Sequence, residues 1–132
     1  MQIVLDTNVI ISGLLNPIGK PGQIVQLVSS GIIKICYDAR IIAEYYSVLV
    51  REKFGFDRND VNSFITQVKS EGILVFPQPL EIKIIDQDDL KFIEVAIAGK
   101  VKYLVTGNLK HYPKEKIEKL EIITPSDLLR KL

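Results

Sequence analysis

Two polar residues of this 132-residue chain follow apolar runs that have the length of buried strands. Asp6 comes directly after residues 2–5, and Asn108 lies two residues after the run 102–106. Because functional sites of α/β sheets lie beyond the carboxyl ends of the strands, we expect both side chains at one sheet edge. Capping of the following helix is an equally good explanation of Asp6 taken alone. The two residues therefore mark a sheet edge and leave its role open.

Two acids lie on the apolar stripes of predicted helices. Apolar residues follow Asp89 three, four and seven positions later, and others flank Glu44 three positions before it and four after it. This spacing turns both carboxylates toward the core or its rim, where an unpaired charge is costly. Alternatively, Asp89 complements the positive end of a helix that Asp86 caps, and Glu44 pairs in solvent with Arg40 or Arg51.

Three carboxylates and one amide directed at one sheet edge form an all-oxygen set of ligands. Mg²⁺ and Mn²⁺ prefer such ligands, whereas zinc needs clusters that one His and one Cys cannot form. These hard ions bind phosphate oxygens and activate water, so no protein nucleophile is required. The residues therefore predict metal-dependent hydrolysis of phosphodiesters.

Strand-like and helix-like segments alternate along the chain and position these residues. We predict strands at 2–5, 32–37, 73–76, 102–106 and 121–123. We predict helices at 7–15, 24–28, 41–49, 61–68, 86–99 and 113–119, and a last one after Thr124. Asp38, Thr124 and either Asp57 or Asn59 are expected as N-caps. The alternation indicates a three-layer α/β/α sandwich with a mostly parallel, Rossmann-like central sheet.

Composition limits the class of protein. A length of 132 residues with 47% hydrophobic residues suits a single domain over 1–132, and the formal charge of +1 provides no global attraction for nucleic acid. The single Cys36 cannot form an internal disulfide, and the start MQIVLDTNV is unlike a secretory signal. No apolar run approaches the ~20 residues of a membrane span. We therefore expect a soluble, cytoplasmic protein.

Four segments carry a family pattern in addition to their chemistry. They are VLDTNVIISGLL at 4–15, EYY at 44–46, DQDDLKFIEVAIAGK at 86–100 and YLVTGNLKHYP at 103–113. In this order and in these contexts they resemble the PIN domain nucleases, and most closely the toxin-like PIN proteins related to VapC ribonuclease toxins. The resemblance spans nearly the whole chain and implies a PIN-like fold.

The resemblance also implies the roles of the predicted ligands. Asp6, Glu44 and Asp89 would be the catalytic, metal-binding acids, and Asn108 occupies a position that is often a fourth acid. An amide can donate an oxygen to a metal ion or hold a metal-bound water, but it removes one negative charge. Its presence disfavours tight binding of a second ion, so catalysis with one Mg²⁺ or Mn²⁺ is an alternative.

Polar residues next to the ligands are candidates for orienting carboxylates or contacting phosphate. They are Thr7, Asn8, Asp86 and Thr106. Ordinary cap and turn roles explain these residues equally well.

Residues 100–119 contain six lysines and two glutamates, a local formal charge of +4. Such a segment suits contact with an RNA backbone, and it suits a solvated helix face equally well. Lys110 and His111 are the candidates for phosphate contact nearest to Asn108.

The functional expectation from the resemblance is a Mg²⁺- or Mn²⁺-dependent endoribonuclease, the toxin of a toxin–antitoxin pair. The resemblance also implies a homodimer and a small antitoxin protein whose tail covers the acidic cleft. An exposed apolar patch on the helix at 24–28 or on the helix at 61–68 would be the physical counterpart of such partners.

Three other functions are consistent with parts of the pattern. A degenerate PIN domain that binds RNA or a partner protein without cleavage is the main alternative, because Asn108 replaces an acid. A phosphatase with an aspartyl nucleophile is disfavoured, because Asn8 stands where that chemistry uses a second Asp. A receiver domain is disfavoured because the pair of adjacent acids at its first strand is absent.

Overall fold

The computed structural model describes all 132 residues and contains one parallel sheet of five strands. The strands are β1 (Gln2–Leu5), β2 (Lys34–Tyr37), β3 (Ile73–Leu74), β4 (Tyr103–Val105) and β5 (Glu121–Ile123). Their order across the sheet is β3-β2-β1-β4-β5, and every neighbouring pair is parallel. β1 therefore lies at the centre, and its carboxyl end shares one edge with the ends of β2 and β4.

Six α-helices connect and cover these strands. They are α1 (Thr7–Leu15), α2 (Lys20–Ser29), α3 (Ala39–Leu49), α4 (Arg58–Glu71), α5 (Leu90–Ala98) and α6 (Pro125–Arg130). Helix α5 packs against β1, β2 and β4, whereas α2 packs against α1, α4 and α6. None of the helices is both long enough and apolar enough to span a membrane. The predicted three-layer α/β/α fold with a parallel central sheet is confirmed.

The central strands are buried on both faces, which explains why they read as continuous apolar runs. Ile3, Val4 and Leu5 of β1 are fully buried, and so is Leu104 of β4. Thirty buried apolar residues form one connected cluster. Cys36 belongs to this cluster and packs as predicted, and burial raises the pKa of its thiol to about 11.

Side-chain caps begin four of the helices and fix where each one leaves the sheet. Asp6 caps α1, Asp38 caps α3, Asp57 caps α4 and Thr124 caps α6. The expected caps Asp38 and Thr124 are confirmed, and Asp57 rather than Asn59 begins α4. Asp6 and Asp38 directly follow the adjacent strands β1 and β2. Two caps therefore lie at the carboxyl-end edge of the sheet, where we expected polar residues.

One predicted helix is wrong. Residues 113–119 lie in an irregular loop in which Ile117 and Leu120 form an isolated bridge, and the nearest helical piece is the 3₁₀ turn Leu109–His111. The left-handed backbone of Glu118, with a φ of 52°, is incompatible with a continuing helix. The lysines of this segment therefore lie on a loop and not on one helix face. Strands β2, β3 and β4 are also shorter than predicted, and α5 begins at Leu90 after a 3₁₀ turn instead of at residue 86.

Gly13→Ala tests how closely α1 and α2 must approach each other. A Cβ atom at Gly13 would lie 2.6 Å from Cγ2 of Val25 and 2.8 Å from the carbonyl oxygen of Pro21. We expect the substitution to lower the free energy of unfolding by about 1 to 3 kcal/mol, because overpacking outweighs the better helix propensity of alanine. Urea unfolding measures the change, with Ser12→Ala on the exposed face of α1 as the control. An unchanged or raised midpoint for Gly13→Ala would contradict the close contact.

Candidate active site

The carboxylate of Asp6 is buried at the carboxyl end of β1, with only 4% of the residue exposed. Its Oδ2 accepts hydrogen bonds from the Thr106 hydroxyl at 2.8 Å and from the Tyr112 hydroxyl at 3.0 Å. Its Oδ1 accepts a longer bond of 3.4 Å from the backbone N–H of Asn8. Asp6 is therefore both the cap of α1 and the centre of a buried hydrogen-bond network.

Tyr112 donates its bond to Asp6 as a neutral phenol. Burial, followed by the negative charges of Asp6 and Asp89, raises the pKa of Tyr112 far above its usual value. The hydroxyl therefore keeps its proton and remains a donor. Nothing in the sequence indicates this contact, because the two residues are 106 positions apart.

Glu44 of α3 is partly exposed, and both of its carboxylate oxygens are engaged. Oε2 accepts a hydrogen bond from the Thr7 hydroxyl, and Oε1 lies 2.7 Å from the ammonium nitrogen of Lys91. Arg40 and Arg51, the alternative partners considered from sequence, form no ion pair with it. Glu44 therefore faces the starts of α1 and α5.

Tyr45, the neighbour of Glu44, fixes α3 across the end of β1. Its hydroxyl donates to the carbonyl oxygen of Leu5 at 2.5 Å, and the residue is fully buried. Burial, followed by the negative charges of Asp6 and Glu44, raises its pKa well above the usual value, so it stays a neutral donor. This anchor brings Glu44 to the edge at which Asp6 emerges.

Asp89 lies in the turn that leads into α5, with 16% of its side chain exposed. Asp86 caps this turn by accepting from the backbone N–H of Asp88 at 3.0 Å, so the capping role belongs to Asp86. Burial, followed by the charges of Asp6 and Asp86, raises the pKa of Asp89 to about 6, while Lys91 opposes the shift. Asp89 therefore lies in a field of negative charge that Lys91 does not cancel.

The loop after β4 carries Asn108, Lys110 and His111. The side chain of Asn108 is partly exposed and makes no hydrogen bond to the protein, while its backbone N–H donates to the Thr106 hydroxyl at 3.0 Å. Nδ1 of His111 lies 3.7 Å from Oδ2 of Asp89, and Lys110 is exposed and forms no ion pair. The amide of Asn108 is thus available to a ligand at this edge.

The four predicted ligands share one sheet edge but do not form a closed metal cage. No three Asp, Glu, His or Cys side chains are close enough together to hold an ion. Every buried polar side-chain atom has a hydrogen-bond partner, so none points unpaired into the site. The donor set nevertheless fits a hard divalent cation. It consists of oxygens, and the burial that raises the pKa of Asp89 is reinforced by the negative charges of Asp6 and Asp86.

Lys91 is a site residue that sequence spacing does not reveal. Its position three residues after Asp88 is typical of an exposed helical pair. Instead, its ammonium donates to the backbone carbonyl of Asp88, and only 12% of its side chain is exposed. The contact with Glu44 joins two helices and has no local pattern in the sequence.

An open cleft of about 360 Å³ lies beside Asn8 and Asn108, and none of the predicted acidic ligands lines it. Its lining includes the polar side chains of Asn8, Ser12 and Asn108 together with the ring of Phe54. Phe54 stacks on Phe56 with 5.8 Å between the ring centroids, so the ring is held in place. The cleft connects the neutral amides of the site with an aromatic surface.

A second ion-pair network joins the same helices outside the acidic site. Arg40 bonds to Asp38 at 2.7 Å and to Glu94 at 2.8 Å, and Glu94 also accepts from the backbone N–H of Leu80. Asp38 and Glu94 are buried, so the network fixes α3 and α5 to the segment after β3. A separate cavity of about 410 Å³ beside it is lined partly by the exposed ring of Phe76.

Comparison with known proteins agrees with this arrangement of elements. The model of the PIN domain family matches residues 2–110, a range that includes all four predicted ligands. An uncharacterised protein of Methanocaldococcus jannaschii, MJ1680, is 29% identical over 120 residues, which cover 82% of this chain and 71% of that protein. No solved structure matches. The family match extends from β1 through β4 and so covers both central strands of the site.

Asp89→Asn tests how the raised pKa of the Asp89 carboxylate affects the stability of the fold. Folded protein holds a proton on Asp89 up to about pH 6, whereas an unfolded chain releases it near pH ~4, so the group favours folding at low pH. That contribution is lost as the pH rises from ~4 to ~6. At a pH of ~8 in EDTA, the variant should therefore be more stable than the parent chain by about 1 kcal/mol, after a discount for solvent screening. At a pH of ~4 the difference should vanish.

Thermal unfolding in EDTA at both pH values measures this difference. Asp88→Asn is the matched control, because Asp88 is exposed and its carboxylate forms no ion pair. Equal stability of Asp89→Asn and the parent chain in alkaline EDTA would contradict the raised pKa of Asp89.

Proposed function

This chain belongs to the PIN domain family, and on that premise we propose that it is a Mg²⁺- or Mn²⁺-dependent endoribonuclease. PIN domains are in general nucleases, which supports a phosphodiester hydrolase. The observation that carries the proposal is that the negative charges of Asp6 and Glu44, on other elements, act on Asp89. Burial and then the neighbouring carboxylates raise the pKa of Asp89.

Four residues would hold a divalent ion, namely Asp6, Glu44, Asp89 and Asn108. When bound, such an ion activates a water molecule and neutralises charge that develops on the phosphate. Asp6 offers Oδ1, because Thr106 and Tyr112 already bond to Oδ2. Asn108 offers an amide oxygen that no protein group uses. Both groups are thus available without breaking a strong hydrogen bond.

Hydrogen bonds hold the acids in position before a substrate arrives. Thr106 and Tyr112 orient Asp6, and Thr7 orients Glu44. Groups that are fixed in advance avoid the cost of reorganisation during the reaction, and partners of metal ligands tune affinity for this reason. Supporting roles for Thr7 and Thr106 are therefore part of the proposal.

The cleft that Asn8 and Asn108 line supports a nucleotide substrate. Asn8, Ser12 and Asn108 supply neutral donors and acceptors that suit base edges and ribose hydroxyls, and Phe54 supplies an aromatic surface. Lys110 is exposed in the adjoining loop, where its ammonium suits the backbone phosphate. The substrate that we propose is single-stranded RNA.

The alternative function is a PIN domain that binds RNA without cutting it. Asn108 in the place of an acid, and Glu44 already paired with Lys91, favour this alternative. It predicts RNA binding with no hydrolysis at millimolar Mn²⁺. The assay below separates the two functions.

The toxin role, the homodimer and the small antitoxin remain proposals that rest on the resemblance to toxin-like PIN proteins. The apolar faces expected at 24–28 and 61–68 are buried within the chain, because Ile24, Val28, Val61 and Val68 all belong to the core. Any partner surface must therefore use other residues.

Asp6→Asn and Asp89→Asn test the proposed site directly. Purified parent chain should cleave single-stranded RNA in Mg²⁺ or Mn²⁺ and stop in EDTA. Each variant should lose about 100-fold or more in rate, since removing a partner of a ligand alone costs roughly 10- to 100-fold. A labelled RNA and a DNA of the same sequence, resolved by gel, provide the measurement.

Asp88→Asn serves as the control and should cleave at the rate of the parent chain, because Asp88 is exposed. Cleavage that continues in EDTA would contradict the metal mechanism. Equal rates for the parent chain and both site variants would contradict the site, and RNA binding without cleavage would support the alternative.

Phe54→Ala tests whether the cleft takes part in binding. Loss of one aromatic surface for a base should raise KM for RNA roughly tenfold and leave kcat nearly unchanged. Phe76→Ala is the control, since Phe76 is an exposed phenylalanine that lines the separate cavity near Arg40. The same KM for Phe54→Ala and the parent chain would exclude this cleft from the RNA path.

A further inference from the structure

The ammonium of Lys91 lies inside the acidic site and not on the surface. Only 12% of its side chain is exposed, and Nζ lies 2.7 Å from Oε1 of Glu44. Nζ also donates to the backbone carbonyl of Asp88 and lies 5.1 Å from the centroid of the Phe92 ring. Three neighbours therefore hold one positive charge at the start of α5.

A lysine in so enclosed a place has to be compensated, because removing an ammonium from water is costly. The carboxylate of Glu44 provides that compensation at 2.7 Å, and Lys91 also opposes the rise in the pKa of Asp89. For the predicted ligands alone, three carboxylates and the ammonium of Lys91 sum to a formal charge of −2, and Asp86 lies outside this set. One divalent cation neutralises this charge, and a second would exceed it.

The contacts of Glu44 also favour one bound metal ion over two. Thr7 donates to Oε2 and the Lys91 ammonium lies against Oε1, so a second ion at Glu44 would have to displace that ammonium. Asn108 adds an amide and no charge. The predicted ligands thus lack the negative charge that two divalent ions would require.

We propose that Lys91 takes the place of a second divalent cation by pairing with Glu44, so that the site binds one metal ion. This inference rests on the proposed function, since it concerns how many ions the same acids accept. Lys91 is a positioning residue, because it acts through Glu44 and touches no reacting atom.

Removal of the positive charge should change metal binding in a defined direction. In Lys91→Met, Glu44 loses its counter-ion and the site becomes more negative by one charge. We expect the dissociation constant of the first Mn²⁺ to fall about tenfold, the effect of one nearby charge on an ionic equilibrium. A second Mn²⁺ should then bind with measurable affinity. Lys91→Arg keeps the charge and should restore binding of one ion.

Free Mn²⁺ in titrations of the full chain, measured by its electron paramagnetic resonance signal, gives both the stoichiometry and the dissociation constant. Lys83→Met is the matched control, because Lys83 is an exposed lysine without an ion pair and has no role in the proposed site. It should bind Mn²⁺ like the parent chain. Thermal unfolding verifies that each variant is folded, and Lys91→Gln replaces Lys91→Met if the latter does not fold.

The outcomes separate this inference from the proposed function. Two Mn²⁺ ions on the parent chain, or an unchanged dissociation constant in both uncharged Lys91 variants, would overturn the role of Lys91 and leave the nuclease proposal standing. Failure of the parent chain to bind any Mn²⁺ at the acids would overturn the metal-dependent function, and the role of Lys91 with it.

Discussion

The hydrogen bonds to the buried carboxylate of Asp6 connect the parts of the molecule on which the site depends. Thr106 follows β4 and Tyr112 follows the next turn, and both donate to the same oxygen. The backbone N–H of Asp6 donates to the carbonyl oxygen of Val105, which continues the pairing of β1 with β4. A carboxylate at this depth requires such donors. The central strand pair and the loop carrying Asn108 are therefore one structural unit.

Accumulated negative charge is the second constraint at this edge. Asp6, Glu44 and Asp89 come from three different elements, and the structure compensates them with hydroxyl donors and a single enclosed ammonium, that of Lys91. Burial and the remaining repulsion raise the pKa of Asp89 to about 6. Groups perturbed in this way are concentrated at functional sites. This repulsion lowers the stability of the fold, and a bound cation would offset it under the proposed function.

The fold was largely predictable because its signals are local. Apolar runs identify the central strands, and capping residues such as Asp38 identify where helices begin. The approach of Asp6 and Asn108 to one edge follows from the parallel sheet, whereas the ligand roles stay a prediction. The contacts of Lys91 and Tyr112 join residues far apart in sequence, so no spacing reveals them. Composition likewise could not show the left-handed backbone of Glu118, which makes the lysine-rich segment a loop.

We propose that Asp6 and the neighbouring acids bind a divalent metal ion. Crystals of the chain grown in millimolar Mn²⁺, with anomalous diffraction data collected at the manganese edge, would locate this ion. We expect one anomalous peak in contact with the carboxylates of Asp6 and Asp89. The absence of a peak at this edge, or a peak only elsewhere on the molecule, would contradict it.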